Sequence, residues 1–404
     1  MICRDMKSLS KIFEWRKFSL PLVGIIFHLL KLLPFRNKKI WVFGCWMGSK
    51  YDDNAKFLFE YVNKNHPGVR CVWLSRNPAV VKQVRALGYE VYLSTSFRGI
   101  AVALRCGVAI MTNGLEDFGR IPLVGGAKVV SLWHGVGGFK KIYNENYHGK
   151  KLLLKKTVDR FFNWVYRDLS LATSEYTAER SMEQFGVKRD SIVITGQPRN
   201  DLFFSGIQKR DLLSDVDVDV FSKVVLYMPT YRVSPNTRRD MVKDILDELA
   251  ASKKFNDFLE THNILFLVKL HPLTSFKMDS SNPHFRVLGD KNVKSVQHLL
   301  MAADCLVTDY SSCCVDYALL KRPVVFFVPD EEDYLSYSSL NDAYGRVVKE
   351  RAKSVDELVG LMESGDMTPT NLLNDLFEDP SITGTCYSEN MYRAICDRYN
   401  VEVE

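Results

Sequence analysis

Short apolar runs separated by longer mixed segments recur along the whole chain, the rhythm of strands alternating with helices in βα units. In the first half the runs cover residues 40–43, 69–74, 90–93, 108–111, 128–132 and 169–172, and residues 192–195 can pair as another strand before the turn-forming GQPRND. From 206 to 219 the pattern turns polar. It restarts at 224–227, 264–269, 285–287, 305–308 and 324–328, a second wound series. The pattern predicts two parallel-sheet domains facing each other, with a cleft at the carboxyl ends of their strands, where ligands of doubly wound folds bind. The boundaries it suggests are an N-terminal segment 1–39, a first domain 40–205, a linker 206–222 and a second domain 223–404.

Composition narrows the class. With 404 residues, 46% hydrophobic and 25% charged, the chain has material for more than one core and lies outside the collagen-like, disordered and polytopic membrane ranges. The net charge of +6 is unevenly placed: residues 1–40 hold nine Lys and Arg against Asp5 and Glu14, an excess of +7, and the remainder carries −1. A basic end on a neutral body suits contact with an anionic surface, not global nucleic-acid binding. Nine scattered cysteines without paired ligand spacing fit a reduced compartment without structural zinc.

Between the basic flanks lies FSLPLVGIIFHLLKLLPF, residues 18–35. Interrupted by Pro21, His28 and Lys31, it falls short of the roughly 20 clean apolar residues that cross a bilayer. No small-residue cleavage site follows it. An in-plane helix holding anionic lipid is expected, with a first helix packed on its own domain as the alternative.

Four constellations stand at strand ends. In VVSLWHGVGGFKKI a β-rich run delivers Trp133 and His134 to a glycine-rich turn, where Gly135 lets a ligand approach the backbone and Lys140 and Lys141 follow. An imidazole there can take a proton from a hydroxyl near neutral pH. In LFLVKLHPLT an apolar strand ends at His271, held by Pro272. A hydrogen-bonded structural histidine is the alternative at both positions. In CLVTDYSSCCVDYALLKRPVVFF the strand ends at Asp309, and Ser311 or Ser312 is placed to cap the following helix and present free N–H groups to phosphate. In VVLYMPTYR, Pro229 breaks a strand before Thr230 and Arg232, a hydroxyl and a guanidinium suited to phosphate oxygens. Arg199 in TGQPRND invites the same reading, while Asn200 and Asp201 suit either the substrate or a turn or cap. DVDVDV, residues 215–220, reads as a solvated charge run, not a metal motif. Neither half carries GxGxxG or GxxxxGK[ST], which removes the ordinary dinucleotide and P-loop kinase classes.

In order, YDDNAKFLFEY, LWHG with FKKI, TGQPRNDLFF, YMPTYR, VKLHP and VTDYSSCCVDYALLKRPVVFFVPDEEDY resemble the CDP-glycerol glycerophosphotransferase family, the teichoic-acid primases and polymerases and related capsule enzymes. The likeness spans about residues 51–334. It departs after WHG, where Val136, Gly137 and Gly138 replace the family's frequent Thr-Pro-Leu. The resemblance implies an α/β, GT-B-like fold of two Rossmann-type domains with a membrane-associating N-terminal helix, peripheral on the cytoplasmic face of the membrane. It implies transfer of glycerol phosphate from CDP-glycerol to a hydroxyl of a lipid-linked or polymeric acceptor, releasing CMP. CDP-ribitol as donor, or a nucleotide-sugar glycosyltransferase, are the alternatives. Carried over by position, His134 is the general base, His271 and Arg232 stabilise pyrophosphate charge, Thr230, Ser311 and Ser312 contact phosphate, and Asp309 orients the loop or the donor. Gly135, Arg199, Asn200 and Asp201 count on the substrate side. No cofactor, protein metal site or nucleic-acid partner is expected. A divalent ion on the donor pyrophosphate and the oligomeric state are left open.

Overall fold

The apolar runs become strands because each is short, rich in β-branched and aromatic residues, and bounded by turn formers. The computed structural model describes residues 25–32, 34–121, 123–162, 166–207, 217–233, 240–270, 282–288, 295–365, 368 and 370–401. The first sheet holds β1 (Asn37–Phe43), β2 (Arg70–Ser75), β3 (Val91–Leu93), β4 (Cys106–Met111), β5 (Lys128–Ser131), β6 (Leu169–Ala172) and β7 (Ile192–Ile194). The second holds β8 (Lys223–Met228), β9 (Ile264–Lys269), β10 (Phe285–Leu288), β11 (Cys305–Thr308) and β12 (Val324–Phe326). The orders are β3-β2-β1-β4-β5-β6-β7 and β10-β9-β8-β11-β12, and the ladders are parallel. Every predicted strand is present, shifted at its ends by no more than a few residues. β4 and β11 are buried along their whole length, as parallel strands covered on both faces must be.

In each sheet the strand order reverses at one place, between β1 and β4 and again between β8 and β11. The loops leaving the carboxyl ends of those strands diverge there and open a crevice. His134, Gly135, Thr230, Arg232, Asp309, Ser311 and Ser312 lie on these loops or on those of the neighbouring strands, whereas Arg199, Asn200 and Asp201 follow β7 at the edge of the first sheet.

The second half does not run from 223 to 404 as one body. The C-terminal helix Tyr387–Tyr399 crosses back and buries Met391, Tyr392 and Ile395 in the core of the first sheet, with Trp41, Phe59 and Trp73. Tyr392 stacks on His66 at 3.5 Å between ring centroids, and His66 Nε2 lies 2.9 Å from Glu389. Its apolar stripe is ordinary for a surface helix and does not say which sheet it covers, so only tertiary packing settles its place.

The N-terminal apolar segment is described from residue 25. Residues 25–30 are helical; Phe27 is buried, while Ile25, Leu29, Leu32 and Phe35 are exposed. Phe27 packs edge-on against Tyr166 at 5.3 Å. Of the basic flank, Arg36 is drawn into the first domain, donating to the carbonyl of Ala103 at 2.6 Å and to that of Gly125. Among the described residues no helix is long and apolar enough to cross a membrane.

The returning helix generates a test. Ile395→Ala removes a fully buried side chain from the first core, and a loss of about 2–4 kcal/mol is expected. Urea unfolding followed by tryptophan fluorescence measures it.

Candidate functional site

His134 follows β5 on a turn that is strained on both sides. Trp133 has φ +53°, and Asp53, at the start of the facing helix Asp53–Asn65, has φ +63°. Left-handed backbone at a bulky residue persists only where its surroundings impose it, as at ligand-handling sites. Here Asn54 Nδ2 donates to the Trp133 carbonyl at 3.0 Å, and Arg199 Nη1 donates to the His134 carbonyl at 2.9 Å.

The imidazole lies between Trp133 and Trp46, with ring centroids 4.2 and 5.4 Å away. Its Nδ1 faces the Thr112 carbonyl at 3.4 Å. A carbonyl only accepts, so Nδ1 carries the proton and Nε2 keeps the lone pair. Burial lowers the His134 pKa, against the opposing pull of Asp53, so the ring is neutral and basic near pH 7. Asp117 organises the Thr112 turn. Its carboxylate accepts from the backbone N–H groups of Met47 (2.6 Å), Thr112 (2.9 Å) and Asn113 (2.8 Å), and burial pushes its pKa up to about 6 against those bonds.

The glycine-rich loop runs from His134 directly to the second half. A Cβ on Gly135 would stand 2.8 Å from Ser312 Oγ, and one on Gly137 (φ +76°) would stand 2.4 Å from the Phe377 ring. Bare backbone is therefore what lets this loop close on the other domain. Beyond it, Asn341 N donates to the Phe139 carbonyl at 2.8 Å, and Lys141 N to that of Ser339 at 2.9 Å.

On the second half, Asp309 follows β11 and is wholly buried. It accepts from the N–H of Thr230, after β8, at 2.8 Å and from that of Tyr310 at 2.5 Å. It also pairs with Arg232, whose other edge grips Asp330 at 2.5 and 2.9 Å. Burial works against the Arg232 charge, but Asp309, Tyr227 and Asp330 hold its pKa well above the ordinary value. Arg232 is thus 2% exposed with its guanidinium engaged by two carboxylates. Tyr310 and Tyr334 stack beside it, 3.9 Å apart and 4° from parallel. Lys140, from the first half, reaches across to this cluster: its Nζ stands 5.6 Å over the Tyr334 ring. Burial lowers its pKa while Asp309 opposes the shift.

Arg199 joins the halves. It is 8% exposed and pairs with Asp53 at 2.8 Å on the first domain and with Asp316 at 2.7 Å on the second. Asp316 also accepts from Gln197 at 2.5 Å and Asn200 at 3.0 Å. The Arg199 Nη1 and Nη2 groups and the Asn200 Nδ2 expected on the substrate side are therefore engaged inside the protein, while the Asn200 Oδ1 and the Arg199 Nε have no hydrogen-bond partner among the described residues. Asp201 lies apart from the cleft and takes the cap alternative, accepting from the N–H groups of Tyr387 and Ser388 at 2.6 and 2.9 Å. Ser312 precedes the helix Cys313–Ala318 without making a capping bond; Ser311 Oγ accepts from Cys313 N at 3.4 Å. Asp217 and Asp219 of the charge run are exposed. His271 lies outside the described residues.

Gly135, next to His134, thus meets Ser312 of the second half, and Arg199 and Asn200 meet Asp316 of the helix that Ser312 precedes, while Asp309 holds Thr230 and Arg232 together and is felt by Lys140. Asp53, Asn54, Asp316 and Asp330 were not singled out from the sequence. The available signal was Asp316 itself, an acidic residue in a six-residue helix that is otherwise apolar and buried throughout.

Two parallel α/β sheets whose switch-point loops meet, an imidazole on one side and a carboxylate–guanidinium cluster on the other, define a two-domain α/β protein with a composite site. The chain belongs to the CDP-glycerol:poly(glycerophosphate) glycerophosphotransferase family, whose model matches residues 25–373. It is 27% identical over 316 residues to a teichoic acid poly(glycerol phosphate) polymerase of Staphylococcus epidermidis, covering 72% of this chain and 40% of that protein. It is 27% identical over 322 residues to a teichoic acid ribitol-phosphate primase of Bacillus spizizenii, covering 77% and 78%. The chain spans about half the length of several polymerases it matches, from 40% to 54%, and 81% of a teichoic acid poly(glycerol phosphate) polymerase of Bacillus spizizenii. The wall teichoic acid polymerase TagF has the same fold, with a TM-score of 0.71 at 21% identity over 99% of this chain and 100% of that one. UDP-GlcNAc 2-epimerase from Neisseria meningitidis shares it more loosely, with a TM-score of 0.52 at 10% identity over 89% and 99%.

Removing the Arg199 charge strands two buried carboxylates. Arg199→Met is expected to cost about 3–5 kcal/mol, read from the urea midpoint, whereas a solvent-facing phosphate ligand would cost under about 1 kcal/mol.

Proposed function

We propose that this protein transfers glycerol phosphate from CDP-glycerol to a hydroxyl of a lipid-linked or polymeric acceptor, releasing CMP, in teichoic-acid or capsule-type polymer synthesis. The observation that carries the reading, given the family, is His134: a neutral imidazole with its Nδ1 proton engaged, on a loop pressed against Ser312 of the opposite domain. His134 Nε2 takes the proton of the acceptor hydroxyl as that oxygen bonds to the phosphorus of the glycerol phosphate, and the bond to the CMP oxygen breaks. Phosphoryl transfer asks the protein mainly for positioning and neutralised charge. Thr230, Ser311 and Ser312 offer hydroxyls to the phosphates, and His271, by its place in VKLHP, stabilises the pyrophosphate. Arg232 acts by holding the Asp309 loop, since both edges of its guanidinium are engaged. Asp309 in turn fixes the Thr230 backbone. The two sheets form a GT-B-like pair with the donor mainly on the second half. The chemistry requires no resident cofactor, and a divalent ion, where one takes part, rides on the donor.

The same reading puts the protein on the cytoplasmic face of the membrane. Supporting it, the helix Gly149–Phe162 carries Lys150, Lys151, Lys155 and Lys156 with Leu153 and Leu154 about two-thirds exposed, and Ile25, Leu29 and Leu32 of the N-terminal segment are exposed as well. Cations interleaved with exposed leucines suit an anionic lipid surface.

CMP release from CDP-glycerol, with CDP-ribitol and a nucleotide sugar in parallel and membranes as acceptor source, tests the reaction. Release specific to one CDP-polyol is expected, reduced about a hundred- to ten-thousandfold in His134→Ala; sugar transfer or silence would sink it. The base must be neutral to act, so the rate rises with pH. Because burial lowers the His134 pKa, the acid limb of kcat/KM is expected below the ordinary 6.5.

A further inference from the structure

Behind the His134 turn and its glycine-rich loop, the first domain holds a small, partly open space of about 10 Å³ between the ends of β5 and β6 and the helix Glu175–Phe185. That is room for one water-sized occupant. Ser131 and Ser170 line it as register partners on adjacent strands. They are 1% and 3% exposed, and neither hydroxyl has a hydrogen-bond partner among the described residues. Arg180, 5% exposed, also lines it. One of its nitrogens reaches Glu145 at 3.0 Å, while Nε and Nη1 have no partner among the described residues.

The fourth wall is Arg167. It has no carboxylate partner among the described residues, and its Nε is buried and unbonded. Its guanidinium lies on the Phe185 ring at 3.5 Å and beside Trp133 at 5.0 Å. Burial pushes its pKa down only to about 9, so the charge is present at neutral pH. Two guanidinium groups, Arg180 buried and Arg167 half-buried with its Nε out of solvent, stand against the one carboxylate of Glu145, which leaves a partly desolvated positive charge that an anion would neutralise.

We propose that this cavity is a monovalent anion site that takes chloride, bound by the hydroxyls of Ser131 and Ser170 and by N–H groups of Arg167 and Arg180. A water molecule would relieve the hydroxyls but leave the charge. The space is too small for a phosphate, and the groups without partners are N–H and O–H donors. Seated there, the anion neutralises Arg167 where it packs on Trp133, and so fastens the left-handed turn that presents His134.

The test uses the full chain in sodium chloride, sodium bromide or sodium gluconate at equal ionic strength. Replacing chloride by gluconate is expected to lower the thermal midpoint by about 2–4 °C, and bromide to restore it. Crystals grown in bromide should show anomalous scattering in the cavity. Ser170→Ala should raise the half-saturating halide concentration about fivefold, and Arg167→Met should abolish the halide response. No bromide in the cavity, or a halide response unchanged in Ser170→Ala, overturns the proposal. Neither readout uses catalysis, so failure here and failure of the transferase reading are distinguishable.

Discussion

One guanidinium pairs with a carboxylate from each half of this protein. Arg199 leaves the first sheet after β7, and its fork takes Asp53 from the first domain and Asp316 from the second. It also donates to the backbone carbonyl of His134. Desolvating three charges is expensive, and the cost is offset only while every partner is in place. The pairing therefore acts less as glue than as a specification. The position of the imidazole and the packing of the second domain's helix Cys313–Ala318 are coupled through one side chain.

The two sheets solve the same problem in the same way. Where β1 and β4 diverge, Asp117 gathers backbone N–H groups from the loops after both strands. Where β8 and β11 diverge, Asp309 does so for Thr230 and Tyr310. A buried carboxylate at the switch point satisfies amides that the splayed strands can no longer pair. It also holds the Thr112 turn that faces the His134 imidazole on one side and the loops that carry the Thr230, Ser311 and Ser312 hydroxyls on the other. Lys140 joins these centres: it is carried by the His134 loop but lies over Tyr334 in the second half.

This division of labour explains why residues that look like ligands in the string are spent on structure. Arg232 and Arg199 each face two carboxylates, and Asp201 caps a returning helix. In each case the partner is more than fifty residues away. A guanidinium beside a strand end is equally compatible with a phosphate and with a buried acid, and local sequence does not distinguish them. The cavity behind Trp133 is the reverse case, since Arg167, Ser131 and Ser170 carry no motif and acquire meaning only by converging.

The strands, their parallel winding and the placement of His134, Asp309 and the doubled serine after strand ends were legible in the sequence. These follow from periodicity and turn chemistry, which act within a few residues. The family likeness was legible for the same reason, because its strings are those strand-end loops. Three things were decided by tertiary structure alone. The C-terminal helix belongs to the first core, Arg199 belongs to an ion network that spans both domains, and the glycines after His134 serve to press that loop against Ser312 and Phe377. Each depends on which distant surfaces meet. Burial, which converts a charge from a surface group into one that must be paired, is a property of the folded chain and not of any segment.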